Sequence, residues 1–199
     1  MEETAYSDGK RGQIIEAAIE EFGRDGFAGV SMDRVAARAN VSKRTVYNHF
    51  ESKEALFRAI LDLLADKSRQ ALTVQYRPGE PIEGQLWALG RAEGALLTSP
   101  EFMRLARMVV GETMRDPVLA AETNERMAHA AVFHGFMAAA AADGALRLPD
   151  PTSAGEQFLG LLKAQAFWPY VFSQRVVEQE EMTTVIAATV EMFMKTYAA

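Results

Sequence analysis

The stretch VSMDRVAARANVSKRTVYNHFESKEALF, residues 30–57, reads as two short helices joined by a tight turn and followed by the opening of a longer helix. Ser31 is placed to cap the first, because its hydroxyl can accept from the free backbone N–H groups of the opening turn. Asp33 adds a negative charge at the positive end of that helix. Met32, Val35, Ala36 and Ala39 fall at i, i+3, i+4 and i+7 and line one buried face. Asn40 tolerates a left-handed backbone and suits a helix end. Val41 plugs the angle, and Ser42 caps the second helix, expected from Lys43 to Phe50. Val46 and Phe50 are four apart, share a face and go to the core.

The other faces of that second helix carry Lys43, Arg44, Thr45, Tyr47, Asn48 and His49. Arg can take guanine bidentately, Asn can take adenine, and Tyr and Thr hydroxyls suit phosphates. Two helices with a turn of this length form a helix-turn-helix, whose second helix enters a major groove. The charge agrees. Between Arg34 and His49 stand four formal positives (Arg34, Arg38, Lys43, Arg44) and no Asp or Glu, in a chain of net charge −6. A local positive excess in an acidic protein is the footprint expected of a duplex-binding face.

The chain has 199 residues, 49% of them hydrophobic, enough for one or two domains with a sizeable core. Cysteine is absent, which excludes disulfide and thiol chemistry and fits a reducing cytoplasm. The opening MEETAYSDGKR is polar and lacks the apolar core of a signal peptide. No apolar run approaches the roughly 20 residues of a membrane span, so no membrane partner is expected.

In chain order, residues 1–9 read as a loose arm, with Lys10 and Arg11 able to touch phosphates. A helix to about Asp25 turns Ile14, Ile15, Ala18, Ile19 and Phe22 inward and ends at Gly26. From Ser52 a long helix runs to about Val74, a lever leaving the head. Lys53 in its first turn opposes the helix dipole, a mismatch that a phosphate there would remove. Tyr76–Pro81 reads as a loop, and a helix follows from about Ile82 to Thr98. Ser99-Pro100, Asp116-Pro117 and Asp150-Pro151 each set a capping residue before proline, which predicts helix starts near 100, 117 and 151. Residues 127–143, rich in alanine, form a helix ended by Gly144. The last two helices span about 151–172, with Pro169 kinking or ending the first, and 178–197. With no alternating strand pattern, the expected fold is all-α: a three-helix head over 1–52 and a helical bundle over 53–199.

The last two helices are apolar on two faces and therefore buried on two sides. Either the bundle covers both, or a second copy covers one. For a small-molecule pocket the candidates are Trp87, Phe102, Met103, Arg107, Phe133, His134, Phe136, Phe167 and Trp168. Each also reads as an ordinary core side chain or, for Arg107, a solvated one.

Thr45-Val46-Tyr47, Phe50 and Ser52-Lys53-Glu54-Ala55-Leu56-Phe57, with Ile14, Ala18, Phe22 and Gly26-Phe27 upstream, resemble the N-terminal signature of the tetracycline-repressor (TetR) family. Gly144-Ala145-Leu146-Arg147 and Gln157–Leu162 are similar to its AefR-like subgroup. The resemblance implies a homodimeric repressor on palindromic double-stranded operator DNA, released by a small-molecule effector. It implies that Thr45, Tyr47 and Lys53 contact phosphates and that positions 43, 44, 48 and 49 read bases; Ser42, capping that helix, stands with them. Arg44 departs from the small residue usual there, which suggests a contact special to this chain. The resemblance also suggests that the last two helices pair with their copies, through Phe158, Leu162, Val185, Thr189, Val190 and Phe193.

An enzyme is disfavoured. There is no Cys, no Gly-rich phosphate loop and no G-x-S-x-G elbow, and His129 and His134, five apart, do not share a helix face. No spacing suits zinc, and neither metal nor cofactor is expected. The competing reading is a helical adaptor or ligand-binding protein whose basic head meets an acidic protein partner. Salt-dependent binding to a defined operator would discriminate against it.

Overall fold

A computed structural model describes residues 9–126, 130–173 and 175–199. Residues 1–8 of the expected loose arm (1–9), the start of the alanine-rich helix and His129 lie outside them. Among the described residues there are eleven helices and no strand: α1 (Lys10–Gly29), α2 (Met32–Arg38), α3 (Lys43–His49), α4 (Lys53–Ala71), α5 (Ile82–Leu97), α6 (Pro100–Thr113), α7 (Pro117–Arg126), α8 (Ala130–Ala142), α9 (Pro151–Ala166), α10 (Trp168–Val171) and α11 (Gln179–Tyr197).

The three proline signals hold because each preceding side chain takes up a free N–H. Ser99 Oγ accepts from Phe102 at 3.2 Å, Asp116 Oδ1 from Val118 at 2.8 Å, and Asp150 Oδ1 from Thr152 at 3.0 Å. Gly26 (φ 75°, ψ 159°) breaks α1 where expected. Pro169 falls at the start of α10, so the helix from 151 ends at Ala166 and a short one follows. α4 stops at Ala71, earlier than Val74. Beyond it the β-branched Thr73 and Val74 leave the helix. Gln85 orders the loop that follows: its amide donates to Arg77 O (2.9 Å) and Glu80 O (3.0 Å) and accepts from Arg77 N (2.8 Å).

The chain divides into two compact units, Met1–Leu64 with Arg104–Arg126, and Ala65–Met103 with Met127–Ala199. The boundary read from sequence, between 52 and 53, falls inside the first. That unit is centred on Ile14, Ala18, Ile19, Phe22, Val35, Val46, Leu56, Phe57 and Ile60, all at most 2% exposed. The rings of Phe22, Phe27 and Phe57 meet at 5.3–6.3 Å. Two ion pairs tie its later helices to its earlier ones: Arg104–Glu16 at 2.5 Å and Arg58–Glu122 at 2.8 Å.

In the second unit α11 packs on α5 and α9, and α9 on α8. Gly90 and Gly94 let α5 approach α11 closely: a Cβ on Gly90 would stand 2.8 Å from Ile186 Cγ2, and one on Gly94 3.0 Å from Met182 Cγ. Phe158 meets Phe193 edge-on (5.2 Å) and packs at a tilt against Phe133 (6.2 Å) at the centre.

This packing corrects the interface residues. Phe158, Leu162, Val185, Thr189, Val190 and Phe193 are each at most 6% exposed within one copy. They have no surface left to bury against a second. The bundle itself covers both apolar stripes. The residues facing outward are others: Gly160, Ala164 and Trp168 from α9 into α10, and Thr184, Ala188 and Met192 along α11.

Candidate nucleic-acid interface

The backbone of α2 and α3 forms as their sequence demands. Ser31 Oγ accepts from Arg34 N (3.3 Å) and Ser42 Oγ from Thr45 N (3.1 Å). Asn40 takes φ 52°, and the N–H of Val41 returns to Ala36 O at 3.0 Å, closing the turn. Val46 and Phe50 are buried, at 0% and 4% exposure. That orientation turns Lys43, Arg44, Tyr47, Asn48 and His49 to solvent, with Ser42 exposed and Thr45 half-buried beside them. The hydroxyls of Ser42 and Thr45 lie 2.8 Å apart. One buried pair thus leaves an exposed face of donors along seven residues.

The electrostatics differ from the sequence reading. Arg34 and Arg38 do not face outward as free charge. Glu21 of α1 is buried, and both arginines reach it: Arg34 Nη2 at 2.6 Å and Arg38 Nε at 2.9 Å, with Arg24 at 3.0 Å. Arg34 also pairs with Asp25, and Arg38 with Glu20 at 3.0 Å. Burial alone would raise the Glu21 pKa. The Arg38 hydrogen bond and the charges of Arg24 and Arg34 outweigh it and hold the carboxyl below its ordinary value. Lys43 pairs with Asp33 at 2.9 Å. A count of like charges along the sequence misses acids that approach from the neighbouring helix.

Lys53 is likewise engaged. Its ammonium donates to Phe27 O (2.6 Å) and Val30 O (3.0 Å) and lies 4.4 Å from the centre of the Phe27 ring. These carbonyls follow the break in α1 at Gly26. The mismatch with the α4 dipole is therefore answered inside the protein, without a phosphate.

The nine pocket candidates differ in exposure. Phe102, Met103, Phe133 and Phe136 are buried, Phe167 is 9% exposed and Trp168 47%. Trp87 and His134 are half-buried, and Gly155 of α9 packs against His134. Arg107 belongs to the first unit and the other eight to the second. Burial lowers the Arg107 pKa. Tyr76 meets Phe136 edge-on at 5.7 Å. A groove of about 550 Å³ does open in the second unit, between residues 73–81 and α5, but none of the nine residues lines it. Sequence reasoning missed it because its walls are the extended segment after α4 and the turn fastened by Gln85. Among the described residues no group of three or more His, Asp or Glu is placed to hold a metal ion, and no helix is long and apolar enough to cross a membrane.

A helix-turn-helix presented by a small helical head, with a second helical unit, defines a class of DNA-binding regulator. Residues 14–60 match the profile of bacterial regulatory proteins of the tetR family, and residues 84–199 that of the AefR-like transcriptional repressor C-terminal domain. A TetR family transcriptional regulator from Pseudomonas syringae pv. tomato DC3000 is 41% identical, with a TM-score of 0.85 over 96% of this chain and 98% of that one. The flavonoid-responsive regulator FrrA is 28% identical, with a TM-score of 0.71 over 95% and 97% of the two chains. The HTH-type transcriptional regulator UidR of Escherichia coli K12 is 38% identical over 114 residues, 56% of this chain and 55% of UidR. The chain thus aligns with about half the length of that curated relative. The chain belongs to the TetR family of transcriptional regulators, with a C-terminal domain of the AefR-like type.

Proposed function

We propose that the protein is a homodimeric repressor that binds a palindromic DNA operator through α3 and is released by a small-molecule effector held in its second unit. The carrying observation is the outward face of α3, set by the burial of Val46 and Phe50. On this reading Arg44, Asn48 and His49 read base edges, while Ser42, Thr45 and Tyr47 meet phosphates. Lys43 and Lys53 reach DNA only by exchanging Asp33 and the Phe27 and Val30 carbonyls for phosphate oxygens. Repression accords with the match to the AefR-like transcriptional repressor C-terminal domain.

Pairing of two copies places two heads on a two-fold operator. The surface that supports it is the outward stripe of α9–α10 (Gly160, Ala164, Trp168) together with that of α11 (Ala188, Met192), small and apolar side chains on two helices in mutual contact. Small residues allow close helix approach. For the effector, the aromatic interior of the second unit and the flavonoid response of FrrA support an apolar, aromatic class. Such an effector must bind the DNA-incompatible state more tightly, and operator must weaken its binding by the same factor.

The test is selection from random duplex DNA with purified protein at moderate salt. A two-fold-symmetric motif supports the proposal. Recovery of nothing above background from folded, dimeric protein, with and without a panel of flavonoids, rejects it in favour of the adaptor reading.

A further inference from the structure

The first unit carries many cations, and nearly all are already spent. Arg24, Arg34, Arg38, Lys43, Arg58, Arg104 and Arg115 each pair with a carboxylate, and Lys53 with two carbonyls. Among its described residues, Lys10, Arg11 and Arg44 make no ion pair. Two of these three stand at the start of α1, outside the helix-turn-helix. Arg11 is exposed, yet it is not left to wander: its guanidinium carbon lies 5.1 Å from the centre of the Phe50 ring. Phe50 closes α3, directly after His49. The recognition helix thus has an unpaired guanidinium docked against its last residue, contributed by another helix.

We infer that Arg11, held by the Phe50 ring, is a DNA-backbone contact that extends the recognition surface past the C-terminal end of α3. A guanidinium over an aromatic face keeps its N–H edges free to donate, and the stack removes side-chain freedom before any phosphate arrives. Lys43, held by Asp33, must break a pair to make one, so its net contribution is smaller. The inference rests on the operator-binding reading above.

The experiment is a salt titration of binding, using the duplex recovered by selection and a random-sequence duplex of equal length, with wild type, Arg11→Gln, Arg11→Lys and Lys43→Gln. Arg11→Gln is expected to weaken both duplexes by a similar factor and to reduce the slope of log K against log salt by about 0.9 for each head bound. Arg11→Lys should keep the slope while losing part of the affinity, because it keeps the charge but not the planar stack. Lys43→Gln should change the slope less than Arg11→Gln. An unchanged slope in Arg11→Gln, with helical content intact by circular dichroism, overturns the inference. So does a loss of preference between the duplexes at constant slope, since Arg11 would then only position α3. If wild type binds neither duplex, the operator-binding reading fails, and that is read from its own curve before any variant is compared.

Discussion

Glu21 Oε1 accepts from Arg38 Nε at 2.9 Å, so a buried carboxylate of α1 holds α2 in place from beneath. Replacing Glu21 by Gln leaves three arginines facing a neutral amide. The expected loss is about 2–3 kcal/mol at neutral pH, measured by urea unfolding. The sign with pH follows from the lowered pKa. The folded state favours the charged carboxylate, so this stabilisation is complete above the ordinary value of 4.5 and is lost as pH falls through the lower, folded value. The gap between wild type and Glu21→Gln should therefore narrow below 4.5. A gap that stays constant down to pH 3 would show that folding does not favour the charged Glu21 carboxylate.

Asn40 sits at φ 52° in the turn between α2 and α3. Asn40→Gly keeps this geometry and should change stability little. Asn40→Val places a β-branched side chain in the left-handed region at a cost of roughly 1–2 kcal/mol. Thermal unfolding of the pair checks it, and equal melting temperatures would contradict the turn as described.

Gly90→Ala puts a methyl carbon 2.8 Å from Ile186 Cγ2, a branched position that cannot swing aside. Overpacking of this kind costs about 1–3 kcal/mol, partly offset by up to about 1 kcal/mol of helix propensity. The signature is coupling: Gly90→Ala with Ile186→Ala should be less destabilised than the sum of the two single changes. Strict additivity would place the two side chains apart.

Tyr76 donates to Asp143 Oδ2 at 2.6 Å. That hydrogen bond, with burial and the nearby charge, pushes its pKa up to about 12 from 10.0. The neutral phenol is favoured by folding, so this contribution is present below pH 10 and is lost as pH rises through the folded value. Ultraviolet titration of wild type against Tyr76→Phe should isolate one phenol titrating near 12, and Asp143→Asn should bring it down. A Tyr76 that titrates at its ordinary value would exclude the bond in solution.

For the pairing surface, Ala188→Arg should yield a folded monomer by light scattering, because Ala188 is exposed in one copy. Val190→Arg should instead unfold the chain, since Val190 is 1% exposed. A dimer that survives Ala188→Arg would move the interface elsewhere.

The local features were legible in the chain itself. Ser31, Asn40, Ser42 and the three residues before proline act on backbone within a turn of themselves, so their order alone sets helix starts and ends. Val46 and Phe50 likewise determined which face of α3 looks outward, through helical spacing alone. What tertiary structure decided was who meets whom. Arg34, Arg38, Lys43 and Lys53 read as free cations, yet acids and carbonyls from other elements, as many as 26 residues away, take them up. The stripes on α9 and α11 read as two buried sides, but only the packing of α5, α8, α9 and α11 showed that one copy covers both. Periodicity reports that a face is buried; burial by which partner depends on contacts between residues distant in the chain, which no local pattern encodes.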